Sequence, residues 1–498
     1  MSTGEERCLY LPLPLPAPFR HPCSATPAPP PPLRRLRSAA SVLPLPFCRF
    51  RPACVSSFRR RALDVLSSPH DRPILRLAVP ALAGLAADPL VSLVDTAFVG
   101  QLGRVPLAAL GINASVFSMT FVIFNFLAYG TTPRVGRAVG TGDREAASRV
   151  VMQALLLALI TGAVALTLLQ LLAVPILQLM GAGDDLLGPA LTYLRIRACA
   201  GPAVLLITAS HGAFRGYQDT RTPMIVTIGF NVVNAVLDPI LIFGLGWGLA
   251  GAATATVVAQ WLGALVFLAL LLSARREALG ITPSWPRIRS LGAFLTVGRD
   301  LFVRTAALIG TMTLATAVAT RIGTTAVAAH QVAAQLWLFL ALLVDALAVS
   351  GQALVSKHLG AGDSDAARSV SNRLLQWGLG VGLLLGGSFY ALHPVLPSFF
   401  TDDPATVAAV LSVFPFVAVL QPINGLVFVW DGLYMGAEAF AYLAKAMLVA
   451  AAAAAVVLLL VHPMGWGLAG VWWGITTLMA VRVATLAIPY ARGSLLQT

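Results

Sequence analysis

This chain has little charge. Asp, Glu, Lys and Arg make up only 11% of its 498 residues and 57% are hydrophobic, whereas an ordinary soluble domain is roughly 25% charged. That balance excludes a soluble enzyme or binding module and leaves a protein that crosses a membrane many times. The formal net charge is +13, which raises nucleic acid as a partner. Such a footprint needs Lys and Arg gathered on a soluble domain, and the sequence offers none, so no nucleic-acid partner is expected. Cysteine is also scarce. Four of the five, Cys8, Cys23, Cys48 and Cys54, precede residue 73, and Cys199 stands alone after it, which excludes an internal disulfide or a cysteine-rich metal site once that leader is removed. The seven His show no His-x-x-x-His or similar spacing, so neither a catalytic metal nor another cofactor is expected.

The segment before Pro73 has Arg but no Lys, only Glu5, Glu6, Asp64 and Asp71 as acids, and proline throughout, as in LPLPLPAP and APPPPLRRLRSAAS. It can build neither a core nor a continuous helix. A secretory signal needs an unbroken apolar stretch, which LYLPLPLP interrupts, whereas an Arg- and Ser-rich, acid-poor leader fits organelle import. So much proline opposes the amphipathic helix of a mitochondrial leader and favours a plastid. Residues 1–72 are therefore expected to be a disordered transit peptide, and the protein to lie in the chloroplast envelope. A disordered cytosolic tail on a protein of another membrane is the alternative.

Long hydrophobic runs fill the rest. Twelve are long enough to cross a hydrocarbon core about 30 Å thick: 74–99, 107–133, 149–173, 189–210, 224–244, 248–273, 291–320, 326–353, 369–397, 404–428, 440–462 and 467–489. Loops after even-numbered spans hold Arg134, Arg137, Arg144, Arg215, Arg221, Arg275, Arg276, Arg287, Arg289, Lys357 and Arg368, while those after odd-numbered spans hold Arg104 and acids such as Asp184, Asp185, Asp402 and Asp403. Short basic loops stay on the cytoplasm-equivalent side, so both termini face that basic side.

The chain also repeats itself. GTGDREAA at 140–147 returns as GAGDSDAA at 360–367, and the same shift of 220 carries Leu102-Gly103 to Ile322-Gly323, Pro202 to Pro422, Gly212 to Gly432 and Gly216 to Gly436. GWGLAG at 246–251 recurs at 465–470. A six-span unit has been duplicated, and because six is even the copies share one orientation, related by a pseudo-twofold axis along the membrane normal. The expected fold is an all-α polytopic membrane protein of twelve transmembrane helices in two pseudo-symmetric six-helix bundles around a central cleft. The bundles are an N-lobe at 73–273 and a C-lobe at 291–490, joined by a loop at 274–290 and followed by a tail at 491–498. The glycine-rich GD loops lack the Lys-Ser/Thr of a phosphate-binding loop and read as tight turns with a helix-capping Asp.

Within so apolar a chain the acids inside spans stand out. FNVVNAVLDPILIF at 230–243 puts Asn231, Asn234 and Asp238 on one helix face, and the first span puts Asp88, Ser92 and Asp95 on another. Asp95 and Asp238 each lie about five residues before a glycine that closes the span, hence at a similar depth, roughly 7 to 8 Å inside the far surface. An ionisable group there costs roughly 2.5 to 3.5 kcal/mol or more unless partnered, so it is functional by default. The duplication supplies a control: Asp95 maps onto Ala315, and Asp238 onto the apolar VLL of AVVLLLVH. Residues that merely held the fold would be expected in both copies. Asp345, which maps onto Asn125, and Asp431 lie nearer the basic side and suit a structural, gating or substrate-contact role, and Asn231 and Asp88 are further candidates for substrate contact or gating. Arg304, Arg321 and His330 are candidates for pairing with acids or for span ends.

SLVDTAFVGQLG at 92–103, GAFRGYQDTRTP at 212–223, NAVLDPILIFG at 234–244 and the paired GD loops resemble the multidrug and toxic compound extrusion (MATE) family. VDTAFVG, LVDALAVSGQALV and WDGLYMGA resemble its DinF-like branch with the plant plastid DETOXIFICATION proteins. The resemblance covers about 73–490. It implies a secondary active transporter without enzymatic activity, a monomer in membrane lipid. By alternating access it would export small organic compounds or xenobiotics in exchange for H+ or Na+. It also implies that Asp95, Asn234 and Asp238 form the coupling site. Desolvation favours the neutral acid, so proton uptake and release can be coupled to wetting or substrate. Sodium suits the same oxygens. An uncoupled plastid metabolite carrier and a lipid-precursor flippase are the alternatives. An intramembrane prenyltransferase would need paired Asp-rich motifs for magnesium diphosphate, and the Asp pairs at 184 and 402 lie on the wrong side without the repeat spacing.

Overall fold

The computed structural model describes residues 68–274, 276–282, 291–400, 403–493 and 495. Most of the expected leader, Arg275, Arg287, Arg289 and Asp402 lie outside the described residues; among the described residues every regular element is helical. The first repeat comprises α1 (Asp71–Gly100), α2 (Arg104–Val122), α3 (Phe126–Thr141), α4 (Arg144–Leu171), α5 (Ala173–Leu179), α6 (Asp184–Ala198), α7 (Gly201–Gly216), α8 (Arg221–Pro239) and α9 (Gly248–Ala269). After the short α10 (Arg276–Leu279), the second comprises α11 (Gly292–Ile322), α12 (Thr324–Gly360), α13 (Ser364–Leu392), α14 (Pro404–Gly436), α15 (Phe440–Leu460) and α16 (Gly467–Ala491). Eleven spans among the described residues are long and apolar enough to cross a membrane, α2 and α3 counting as one, and α6 with α7, bent by 47°, completes twelve. The molecule is a multi-pass membrane protein, with leucines such as Leu93 and Leu384 facing outward.

Several boundaries differ from those expected. α1 begins at Asp71, inside the segment expected as leader, because the Asp71 carboxylate is held by α13 and Pro73 in a first turn costs no helical hydrogen bond. The second span breaks into a 3-10 turn at Ile123–Asn125. Pro239 has no N–H to give Ala235, and directly after it α8 relaxes into a π-helical turn, Ile240–Gly244.

The duplication is visible in matched contacts. A Cβ on Gly212 of α7 would lie 2.8 Å from Ala128 O of α3, and one on Gly432 of α14 would lie 2.3 Å from Ala348 O of α12, the same pair displaced by 220 residues. Asp143 and Asp363 each accept a backbone N–H three residues on, from Ala146 and Ala366, at 2.8 Å. Where α3 meets α12, Gly136 faces its own repeat mate, Ser356. A Cβ on Gly140 would strike Lys357 O at 2.1 Å, and one on Gly360 would strike Arg137 O at 2.2 Å. Residues meet their own mates only on a symmetry axis, so the pseudo-twofold runs through this crossing. The crossing lies at the basic ends of both helices, where the lobes also join through Gln218 Nε2 to Ala353 O at 2.7 Å, and through Gln352 Nε2 to Tyr129 O at 2.7 Å. The bundles are closed on each other at the basic face.

Candidate functional site

α8 turns Asn231, Asn234 and Asp238 inward, at 8%, 1% and 0% exposure, while Val232 and Val236 of the opposite face stand out. This stripe packs along α1. Asn234 Nδ2 donates to Asp95 Oδ1 at 2.9 Å and to Asp238 Oδ2 at 3.3 Å. One turn nearer the basic face, Asn231 Nδ2 donates to Asp88 Oδ1 at 2.8 Å. Two residues from α1 and three from α8 therefore form one polar seam. Among the described residues, Asn234 Oδ1 and Asp238 Oδ1 are buried with no hydrogen-bond donor. Buried acceptors of this kind are rare and costly. A proton on one carboxyl, or a small hard cation between the oxygens, would satisfy them.

A cavity of about 400 Å³ opens onto the seam, with Asp88, Asp95, Asn231 and Asn234 in its wall. Arg197 of α6, which sequence reasoning passed over, also lines it. The guanidinium donates Nη1 to Gln260 Oε1 at 2.6 Å and lies 5.3 Å from the Phe117 ring centroid. Its signal was present, since Arg195 and Arg197 sit inside the expected span 189–210.

Asp345 and Asp431 lie elsewhere. Both line a larger cavity, about 680 Å³, between α3 of the first lobe and α11, α12 and α14 of the second, walled by Tyr129, Phe302, Trp337 and Phe428. Asp431 is clasped by Arg304 from α11 and Arg482 from α16, with Asp431 and Arg482 deeply buried and Arg304 partly so. Arg482, a lone Arg in the last apolar run, was also missed. Asp345 stands within electrostatic reach of Arg304 and Arg215. His330 is buried with its ring edge toward Trp472, and Arg321 lies exposed near the end of α11. Ala315, at the position matching Asp95, is fully buried among apolar side chains.

Two like-oriented six-helix bundles, spanning a membrane and holding a buried polar seam beside one cavity and a larger cavity between the lobes, have the form of a membrane transporter. The MatE family model matches residues 80–240 and 302–482, and the chain belongs to this family of multidrug and toxic compound transporters. It is 38% identical to Protein DETOXIFICATION 44, chloroplastic, of Arabidopsis thaliana, over 82% of this chain and 80% of that protein. To DNA damage-inducible protein F of Escherichia coli (strain K12) it is 29% identical, over 88% and 96%. Its fold matches the crystal structure of MATE in the bent conformation, with a TM-score of 0.80 at 22% identity, covering 88% of this chain and 98% of that one.

Proposed function

We propose that the protein is a proton-coupled antiporter of a chloroplast membrane that exports small organic compounds by alternating access, with Asp95, Asn234 and Asp238 as the coupling unit. One observation carries the reading: two acids from different helices share a single amide nitrogen while Asn234 Oδ1 and Asp238 Oδ1 lack donors. Two carboxylates so close repel each other unless a proton or cation lies between them. Protonation stabilises the closed seam, and wetting from the adjoining cavity releases the proton. Asp345 and Asp431, in the cleft between the lobes, suit substrate contact or gating.

The test is transport in proteoliposomes loaded with ethidium as an organic-cation probe or benzoate as an organic-anion probe. A pH gradient should drive probe flux and a sodium gradient at uniform pH should not. Flux driven by sodium alone would reassign the seam to Na+, and flux indifferent to both gradients would favour the uncoupled carrier.

A further inference from the structure

Asp88 borders two chambers at once. One is the cavity of about 400 Å³ shared with Asp95, Asn231 and Asn234; the other, of about 90 Å³, lies toward the basic face and is walled by Pro80, Leu85, His211, Arg215 and Thr227. Among the described residues, Asp88 alone lines both. Asn231 engages Oδ1, and the side chain remains accessible rather than sealed in protein.

The smaller chamber has polar walls and room for more than one water. Pro89 has no N–H, so the Leu85 carbonyl four residues back lacks its helical donor. His211 Nε2 and Thr227 Oγ1 are 3.1 Å apart. Thr220, also in this wall, donates Oγ1 to Leu77 O at 2.9 Å near the basic ends of α8 and α1.

We propose that Asp88 is a proton relay between the Asp95–Asn234–Asp238 unit and the basic face. The proton leaves a carboxyl of that unit and passes along a chain of waters in the cavity of about 400 Å³ to the Asp88 carboxylate. It then passes to water in the small chamber and exits toward the basic face, and no other bond changes. Asp88 lies about 10 Å from Asp95 along α1, toward the basic face. It is faced by Arg197 of α6 across the larger chamber, His211 and Arg215 of α7 across the smaller, Asn231 of α8, and Asp95 on its own helix. This inference rests on the proton-coupled reading above.

Asp88→Asn keeps an oxygen for Asn231 Nδ2 and abolishes titration. In the same proteoliposomes, two fluxes separate the readings: gradient-driven flux, which needs net proton movement, and probe-for-probe counterflow at equal pH, which does not. Asp88→Asn should lose gradient-driven flux by about tenfold or more and keep counterflow, and Asp88→Glu should regain part of the loss. Full gradient-driven flux in Asp88→Asn, with Asp95→Asn inactive, would overturn the relay and leave the coupling unit standing. Loss of both fluxes in Asp88→Asn and Asp88→Glu alike would make Asp88 a packing partner of Asn231. Gradient-driven flux retained by Asp95→Asn would remove the coupling reading and the relay with it.

Discussion

Arg373 grips Asp71 with a two-bond fork, Nε to Oδ1 at 2.6 Å and Nη2 to Oδ2 at 2.8 Å. The pair ties the start of the first helix in one lobe to α13 in the other, and Trp377 Nε1 adds a third bond, to Asp71 Oδ1, at 2.8 Å. Both side chains are largely buried, so the pair should contribute more than a surface ion pair. Asp71→Ala strands the guanidinium and the indole and should cost about 2–3 kcal/mol, read as a lower melting temperature in detergent with an altered Trp377 emission. Arg373→Lys should recover little, because an ammonium cannot reproduce the planar fork. Melting of Asp71→Ala at the parent temperature would show the fork to be dispensable.

The coupling unit predicts non-additivity. Asp95→Asn and Asp238→Asn should each insert and fold, since removing an intramembrane acid lowers the desolvation cost, yet each should abolish flux driven by a pH gradient. The double variant should lose little more, because the two residues act through one amide. Asp345→Asn is the matched control and should keep its pH dependence even if turnover falls. Gradient-driven flux at the parent rate in Asp238→Asn would return that residue to a structural role.

Asp431 offsets two buried guanidinium groups, and its loss should be felt as stability first. Asp431→Leu leaves Arg304 and Arg482 uncompensated and should cost about 3–5 kcal/mol. Replacing all three, Asp431→Leu with Arg304→Met and Arg482→Met, should restore most of it by removing the charges together. Thermal unfolding of the purified variants checks the order, and a triple variant weaker than the single one would contradict it.

The crossing of α3 and α12 has no room for a methyl group. Gly140→Ala should push the lobes apart at the basic face at a cost of about 1–3 kcal/mol, favouring conformations open on that side. Ser356 is fully buried at the crossing. In a background with Cys8, Cys23, Cys48, Cys54 and Cys199 all replaced by Ala, maleimide labelling of Ser356→Cys should therefore speed up when Gly140→Ala is added. An unchanged labelling rate would show that the crossing yields without opening.

Much of this architecture follows from one-dimensional pattern. A membrane leaves a chain little choice: backbone groups must be satisfied within each helix, so apolar length, basic loops and a shift of 220 residues lead directly to twelve spans and two like-oriented bundles. The faces of α1 and α8 were legible too, because helical spacing groups Asp88 with Asp95 and Asn231 with Asn234 and Asp238.

Spacing names a face but not what stands opposite, and there the tertiary structure alone decided. That Asn234 bridges Asp95 and Asp238 while Asn231 turns to Asp88 depends on how α1 and α8 cross. Arg197 and Arg482 were hidden for the same reason: an Arg in an apolar run gains meaning only when Gln260 or Asp431 arrives from another helix. The sequence by itself determined the helices, their orientation and their duplication, since these follow from local energetics and the bilayer. Which charges meet, which oxygens stay without donors and where the lobes touch were decided by packing, because those contacts join residues 50 to 300 positions apart that no local pattern couples.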